Sequence, residues 1–156
     1  INPKAANVQH NYGWLLCQQS RMPEAVKLFA SALANPAYGD RAKTWMAQGL
    51  CQFRAGQDAD AQDSFLRSYE LDAGNPITGY NLALLLYQRG DNLRAQFYVR
   101  RLNNSELANA ESLWLGIKVE RRLDNQQAMA QLGAQLKKRY PESREAHALE
   151  RGAFNE

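Results

Sequence analysis

Few residues of this chain could do chemistry: two histidines, two cysteines and one short run of aspartates. His10 and Cys17 share one predicted helix and could pair as a base and a nucleophile. Seven residues of helix rise about 10 Å, which is far beyond hydrogen-bond reach. The run of Asp58, Asp60 and Asp63 lacks the turn glycine and the terminal glutamate of a calcium loop, and its carboxylates suit the start of a helix. Neither pattern predicts a reactive or metal-binding site.

Other function classes are disfavoured by what the sequence lacks. It has no glycine-rich phosphate loop, no cluster with metal-ligand spacing and no hydrolase motif. The net charge is only +3, and the basic doublets fall at the ends of predicted helices, where they complement the helix dipole. No apolar run has membrane-spanning length. We therefore expect no enzyme, metal, cofactor or nucleic-acid partner, and a protein-binding role instead.

A signature of small residues recurs four times along the chain. Each copy is a Gly or Ala, an Ala twelve residues later and a bulky apolar residue four further on. The Ala-to-Ala steps are 36, 34 and 33 residues, close to the 34-residue period of tetratricopeptide (TPR) helical hairpins. Facing small residues let the two helices of a hairpin approach closely. The copies are Gly13/Ala25/Phe29, Gly49/Ala61/Phe65, Ala83/Ala95/Val99 and Gly116/Ala128/Leu132.

The signature predicts an all-α fold, a right-handed superhelical solenoid of TPR helix-turn-helix repeats in a single domain over residues 1–156. The repeats are expected at about 6–39, 42–75, 76–108 and 109–141, followed by a capping helix at about 142–151. The predicted hairpin helices are 5–20, 23–34, 41–55, 58–71, 76–89, 92–102, 109–122 and 125–139. The chain begins with Ile1 and a segment similar to two later helix-ending Asn-Pro pairs, which indicates the later part of a longer TPR protein.

The first helix of each hairpin lines the concave face of a TPR superhelix, and this face is expected to bind the partner. It is rich in aromatic and aliphatic residues, which favours an apolar strand or an amphipathic helix as the ligand. Burial in the core between repeats is an equal alternative for each residue. The predicted partner-binding residues are His10, Trp14, Lys43, Met46, Phe53, Arg54, Tyr80, Tyr87 and Arg121. Further inward positions are Cys17, Gln18, Leu50, Ile77, Leu84, Leu113, Ile117 and Glu120.

The two cysteines leave two interpretations open. Cys17 and Cys51 are 34 residues apart, in the first helices of consecutive repeats, which stack side by side. A disulfide is possible if the side chains converge, and two small buried thiols are the alternative. The redox compartment decides between them.

Several segments together resemble one known family over nearly the whole chain. They are residues 11–17, 36–38, 49–51, 111–116 and 139–143, and the order Tyr-Gly-x-x-Leu-Cys followed by Gly-x-Cys is the most selective part. They are similar to the type IV pilus biogenesis/stability TPR lipoproteins, the pilotin-like family of the Gram-negative outer membrane.

This resemblance implies a scaffold at the periplasmic face of the outer membrane, held there by an N-terminal lipid anchor outside this chain. Its partner would be the outer-membrane secretin or another pilus-assembly component, whose assembly, localisation or stability it assists through the concave groove. The resemblance also implies that Cys17 and Cys51 form a disulfide in the oxidising periplasm. The alternative function is a general TPR interaction module from another system, such as a cytosolic co-chaperone or a regulatory domain of a larger protein.

Overall fold

A computed structural model describes residues 2–156, so Ile1 and the inference drawn from it lie outside the described residues. Over this range the chain forms nine α-helices and no strand. The all-α prediction is confirmed, and every predicted helix begins and ends within two residues of an observed one. The helices are α1 (Pro3–Gln18), α2 (Met22–Ala34), α3 (Arg41–Arg54), α4 (Asp58–Leu71), α5 (Pro76–Gln88), α6 (Asn92–Asn103), α7 (Ala110–Arg122), α8 (Gln126–Arg139) and α9 (Arg144–Arg151).

Polar caps explain where several helices begin. The Asn109 side chain accepts a hydrogen bond from the Ser112 amide while the Ser112 hydroxyl accepts one from the Asn109 amide, a capping box that opens α7. Asn125 caps α8 and Ser143 caps α9 in the simpler one-bond form. Asp40 precedes α3, as a cap would, but its side chain makes no capping hydrogen bond.

Each hairpin turns through a residue with positive φ. Gly56 and Gly90 supply it in the second and third hairpins, at φ values of 79° and 83°. Ser20 and Asp124 adopt φ values of 61° and 55° at the same place in the first and fourth. The left-handed conformation is open to glycine without steric cost and is tolerated by a short polar side chain. The four turns therefore share the same left-handed backbone conformation, which is adopted by glycine in two of them and by a short polar residue in the other two.

The chain divides into two compact units, with the boundary inside α5. The N-terminal unit extends to Asn81 and the C-terminal unit begins at Leu82. Among the helices of residues 2–156, none combines the length and the apolar character needed to cross a membrane.

In the N-terminal unit, a phenylalanine ring fills the space beside each signature glycine. A methyl group added at Gly13 would lie 2.9 Å from the Phe29 ring, and one at Gly49 would lie 2.6 Å from the Phe65 ring. Both rings are fully buried, as are Ala25 and Ala61, the remaining signature residues of these hairpins. The glycines are therefore required by close approach of the helices.

The C-terminal unit contains a complete third copy of the signature and a looser fourth copy. Ala83, Ala95 and Val99 are fully buried. In the fourth hairpin Gly116 is buried, whereas Ala128 and Leu132 are only half-buried. Equivalent packing of all four copies was expected, and the fourth departs from it: Ala128 and Leu132 are half-buried and line an open cavity beside Gly116.

Candidate functional site

An apolar concavity lies in the N-terminal unit, between α1 and α3. This α1–α3 cavity has a volume of about 490 Å³, and apolar atoms form most of its wall. Its base is made by Trp14 of α1 and Leu50 of α3, both half-buried. A cavity of this size and character can enclose a few apolar side chains. The lining residues are His10, Asn11, Trp14, Lys43, Met46, Ala47, Leu50 and Ile77.

Helical spacing explains why these side chains meet. On α1, Trp14 follows His10 by four residues, and on α3, Met46 and Leu50 follow Lys43 by three and seven, so each set lies on one face. Four of the predicted partner-binding residues thus line one cavity: His10, Trp14, Lys43 and Met46. The short first turn of α5 contributes Ile77, which is 49% exposed at the rim.

A disulfide joins the two helices that form the cavity. Cys17 of α1 and Cys51 of α3 are bonded, with Cα atoms 5.9 Å apart, and both are buried beside Leu16, Ala47 and Phe29. Cys17 therefore belongs to the core of this unit. The sequence had also allowed it to face the groove, and it does not. The bond fixes the distance between the two cavity walls.

His10 lines the cavity at its edge, and most of its side chain lies in the core. It contributes only an edge to the cavity because its side chain is 7% exposed and packs against the Phe29 ring. Its Nδ1 lies 2.8 Å from the Thr44 hydroxyl, which also bonds the Tyr38 hydroxyl at 2.7 Å. Burial lowers the pKa of His10, and nearby Lys43 lowers it further, against a smaller opposing effect of Asp40. The imidazole is therefore held neutral as a structural group.

A second cavity adjoins the first through shared residues. It has a volume of about 350 Å³ and is lined by Trp14, Leu50, Phe53, Arg54 and Asn81. Phe53 packs edge-on against the Phe65 ring, with centroids 6.2 Å apart. Arg54 is exposed and donates to the Gln18 side-chain oxygen at 3.1 Å. The structure therefore places two more predicted residues, Phe53 and Arg54, on the same continuous apolar surface as Trp14.

The remaining predicted residues have other surroundings. Tyr80 is half-buried in α5, and Tyr87 lies under the Arg122 guanidinium, 3.9 Å from the ring centroid. Arg121 is exposed and lies over the Phe154 ring at 4.5 Å. Tyr87 and Arg121 therefore contact other side chains of the C-terminal unit, and they do not line the two cavities described above.

Three further inward positions on α7 follow the alternative stated for each of them, which is burial in the core. Leu113 and Ile117 are fully buried in the core of the C-terminal unit. Glu120 is 1% exposed, and it accepts hydrogen bonds from Arg100 at 2.7 and 3.1 Å and from Gln96 at 2.8 Å. Helix α7 is packed by α6, α8 and α9, so these positions face neighbouring helices.

Several lining residues were missed by the sequence reasoning, although a signal was present. Asn11, Ala47 and Asn81 line the two cavities, and Ala47 and Asn81 lie one helical turn after the predicted inward positions Lys43 and Ile77. In the C-terminal unit Lys118 and Arg122 continue the face of Trp114 at four-residue spacing.

A polar cavity of about 380 Å³ lies elsewhere in the C-terminal unit, among α6, α7 and α8. It is lined by amide side chains, by the Arg100–Glu120 pair and by the loosely packed Leu132. Arg100 and Glu120 bond to each other and so offer few free polar groups to a ligand. We therefore interpret this cavity as a packing gap in the fourth hairpin.

Comparison with known proteins gives the family. No family model matches the sequence. The type IV pilus assembly protein PilF of Pseudomonas aeruginosa is 31% identical over 140 residues, which cover 90% of this chain and 56% of PilF. The chain thus spans little more than half the length of this curated relative.

Solved structures agree with the sequence match. The crystal structure of PilW, a widely conserved type IV pilus biogenesis factor, has a TM-score of 0.82 and 30% identity, covering 96% of this chain and 69% of PilW. A structure of Pseudomonas aeruginosa PilF has a TM-score of 0.79 and 29% identity, covering 94% of this chain and 66% of PilF. The resemblance inferred from the sequence is confirmed. The chain belongs to the family of TPR proteins of type IV pilus biogenesis that contains PilF and PilW.

Proposed function

We propose that this chain is a non-enzymatic scaffold of type IV pilus biogenesis that captures an apolar segment of the outer-membrane secretin in the α1–α3 cavity. By holding this segment it assists assembly, outer-membrane localisation or stability of the secretin. It works at the periplasmic face of the outer membrane, attached by a lipid anchor outside this chain. The family relationship supports this role above a general TPR module from another system.

The observation that carries the proposal is the apolar wall shared by the two cavities. Trp14 and Leu50 belong to both, so the cavities form one strip along α1 and α3. An extended or helical segment with apolar side chains at regular spacing would place successive residues along such a strip. Trp14, Met46 and Phe53 would supply the buried area, and aromatic residues in this position commonly dominate binding energy.

Charged residues at the rim would orient the segment. Lys43 lines the first cavity and Arg54 lines the second. Both are exposed, so they would influence the rate of association and the direction of the bound segment more than its affinity.

The Cys17–Cys51 disulfide supports the proposed compartment and the proposed site together. Structural disulfides persist in oxidising compartments such as the periplasm. This one lies directly behind the cavity wall and sets the separation of α1 and α3 before a partner arrives. A preformed site loses less conformational entropy when it binds.

The test is binding of the purified cognate secretin to immobilised chain, with two cavity variants and one matched control. Met46→Glu and Ile77→Glu place a carboxylate at the wall and rim of the cavity. Leu15→Glu introduces the same charge at a side chain that is 51% exposed on α1 and lies outside the cavity.

We expect each cavity variant to weaken binding by about tenfold or more, because the new carboxylate must be desolvated against an apolar partner. Leu15→Glu should bind as the wild type does. Equal affinity of all four proteins, with unchanged melting curves, would exclude the cavity as the binding site.

A further inference from the structure

A cluster of cations and aromatic rings lies in the C-terminal unit, among residues that line neither of the two cavities of the proposed site. Lys118, Arg121 and Arg122 occupy two successive turns of α7. Each cation lies over at least one ring, and Trp114 stacks on Phe154 with centroids 5.6 Å apart and an interplanar angle of 17°. We call this set the cation–aromatic surface; its members are Tyr87, Trp114, Lys118, Arg121, Arg122 and Phe154.

The three cations are held in place by their rings. The Lys118 ammonium lies 5.6 Å from the Trp114 ring centroid and 5.7 Å from that of Tyr87. Arg122 also donates from Nη1 to the Tyr87 carbonyl at 3.1 Å. A guanidinium stacked on a ring keeps its edge N–H groups free to donate in the plane. The side chains are therefore ordered before any ligand arrives.

No carboxylate within the described part of the chain lies within 4.0 Å of Lys118, Arg121 or Arg122. Glu120, on the same helix, faces α6 and is paired with Arg100. Glu145 is the nearest acid that acts on Lys118, and it is shared with Arg144. The surface thus carries an excess of positive charge.

The surroundings of Lys118 disfavour its charged form. Burial lowers the pKa of its half-buried ammonium, and Arg122 and Arg144 lower it further, against the opposing effect of Glu145. The helix dipole accounts for cations in the last turn of α7, but it does not account for a lysine enclosed by two rings and repelled by two arginines. An anionic ligand would relieve this repulsion.

We propose that the cation–aromatic surface is a second docking site, which binds an acidic peptide segment of a protein partner. Carboxylates of the segment would bind Lys118 and the free edge of Arg121, while its aliphatic carbons contact the half-buried rings of Tyr87 and Phe154. This site does not depend on the α1–α3 cavity, and either can fail without the other.

The chemistry favours a peptide over other polyanions. Three ordered cations are few compared with the six to ten phosphate contacts that make nucleic-acid binding strong. A membrane surface is flat and requires cations that protrude together, whereas Lys118 is recessed between rings. Carboxylates on a flexible chain can reach a recessed ammonium and an exposed guanidinium together.

The test is a titration of the full chain with a short glutamate-rich peptide, followed by NMR of the backbone amides and the Trp114 indole N–H. A peptide with glutamine in place of glutamate is the matched ligand control. Lys118→Gln with Arg121→Gln removes two charges from the surface. Lys137→Gln with Lys138→Gln removes two exposed charges at the end of α8 and is the matched protein control.

We expect saturable shifts at α7 and at the Trp114 indole with the glutamate peptide only. The affinity should fall by about tenfold or more in the α7 double variant and stay unchanged in the α8 double variant. The Ile77→Glu variant should bind the peptide normally, which separates this site from the α1–α3 cavity.

Two outcomes would overturn the proposal. One is an equal loss in both double variants, or no localised shifts, which would mean that only net charge attracts the peptide. The other is binding to anionic phospholipid vesicles or duplex DNA that depends on Lys118, with no binding to the peptide. That result would assign the surface to a different class of ligand.

Discussion

The second and fourth hairpins are built from the same three-residue signature and pack differently. In the second, Gly49 meets the fully buried Phe65 ring and no gap remains beside it. In the fourth, Gly116 meets Leu132, and the Asn103 side chain occupies part of the remaining space. The signature therefore fixes how closely two helices approach, while the burial of its last residue differs between the second and fourth hairpins.

The comparison extends to the surfaces that the two units present. The N-terminal unit has filled hairpins, a disulfide and an apolar strip along α1 and α3. The C-terminal unit has a looser hairpin, an ion pair whose carboxylate is buried, and a surface of cations over rings. Rigid packing behind an apolar surface suits a preformed binding site.

The largest expected effect comes from removing the filling residue. Phe65→Ala should lower the free energy of unfolding by about 3–5 kcal/mol, because it leaves a cavity in a closed core. Leu132→Ala should cost about 1 kcal/mol, because its side chain is half-buried beside an existing gap. Urea unfolding followed by circular dichroism measures both. Equal losses would show that the two hairpins are filled alike.

The next effect concerns the disulfide, which only the N-terminal unit contains. Cys17→Ala with Cys51→Ala should lower the free energy of unfolding by about 3–4 kcal/mol, the value expected for a loop of this length. A reducing agent should produce a similar loss in the wild type and none in the double variant. Two titratable thiols in the oxidised protein would contradict the bond itself.

A smaller effect separates glycines that the packing requires from those that it does not. Gly49→Ala should destabilise the chain by about 1–3 kcal/mol, since the new methyl group would lie 2.6 Å from the Phe65 ring. Gly79→Ala, inside α5, meets nothing within 4 Å and should stabilise by about 0.5–1 kcal/mol through helix propensity. If both substitutions destabilised the chain, the proposed difference between the two glycines would be wrong.

The smallest effect is a pH dependence located in the N-terminal unit. His10 has a lowered pKa in the folded state, so below about pH 6.5 the unfolded chain binds more protons than the folded chain. Stability should therefore fall as the pH drops from 7 towards 5, by at most about 1.4 kcal/mol per pH unit. His10→Gln should flatten this slope in urea unfolding at several pH values, and His147→Gln is the exposed control. An unchanged slope in His10→Gln would assign the pH dependence to other groups.

The helices could be predicted well from the sequence because their signals are local. Small residues at fixed spacing, turn residues and prolines each act within one hairpin, so the order and bounds of the helices followed from them. The face of α1 and α3 was also predictable, since one side of each helix is free of packing in the N-terminal unit.

The side chains of α7 could not be assigned in the same way. Most of this helix is buried, so its apolar periodicity does not distinguish a groove from a core. Glu120 was placed in the groove as an inward position of the first helix of its hairpin, and only the three-dimensional structure shows Arg100 and Gln96 beside it. The burial of His10 could not be read from the sequence either, because its partner Thr44 lies 34 residues away on α3.

The most direct test of the proposed role is site-specific photo-crosslinking to the assembled secretin. A benzoylphenylalanine residue replaces either Ile77 at the rim of the α1–α3 cavity or Leu15 on the exposed face of α1. The account predicts a crosslink to the secretin from position 77 and none from position 15. Crosslinking from position 15 alone, or equally from both, would contradict it.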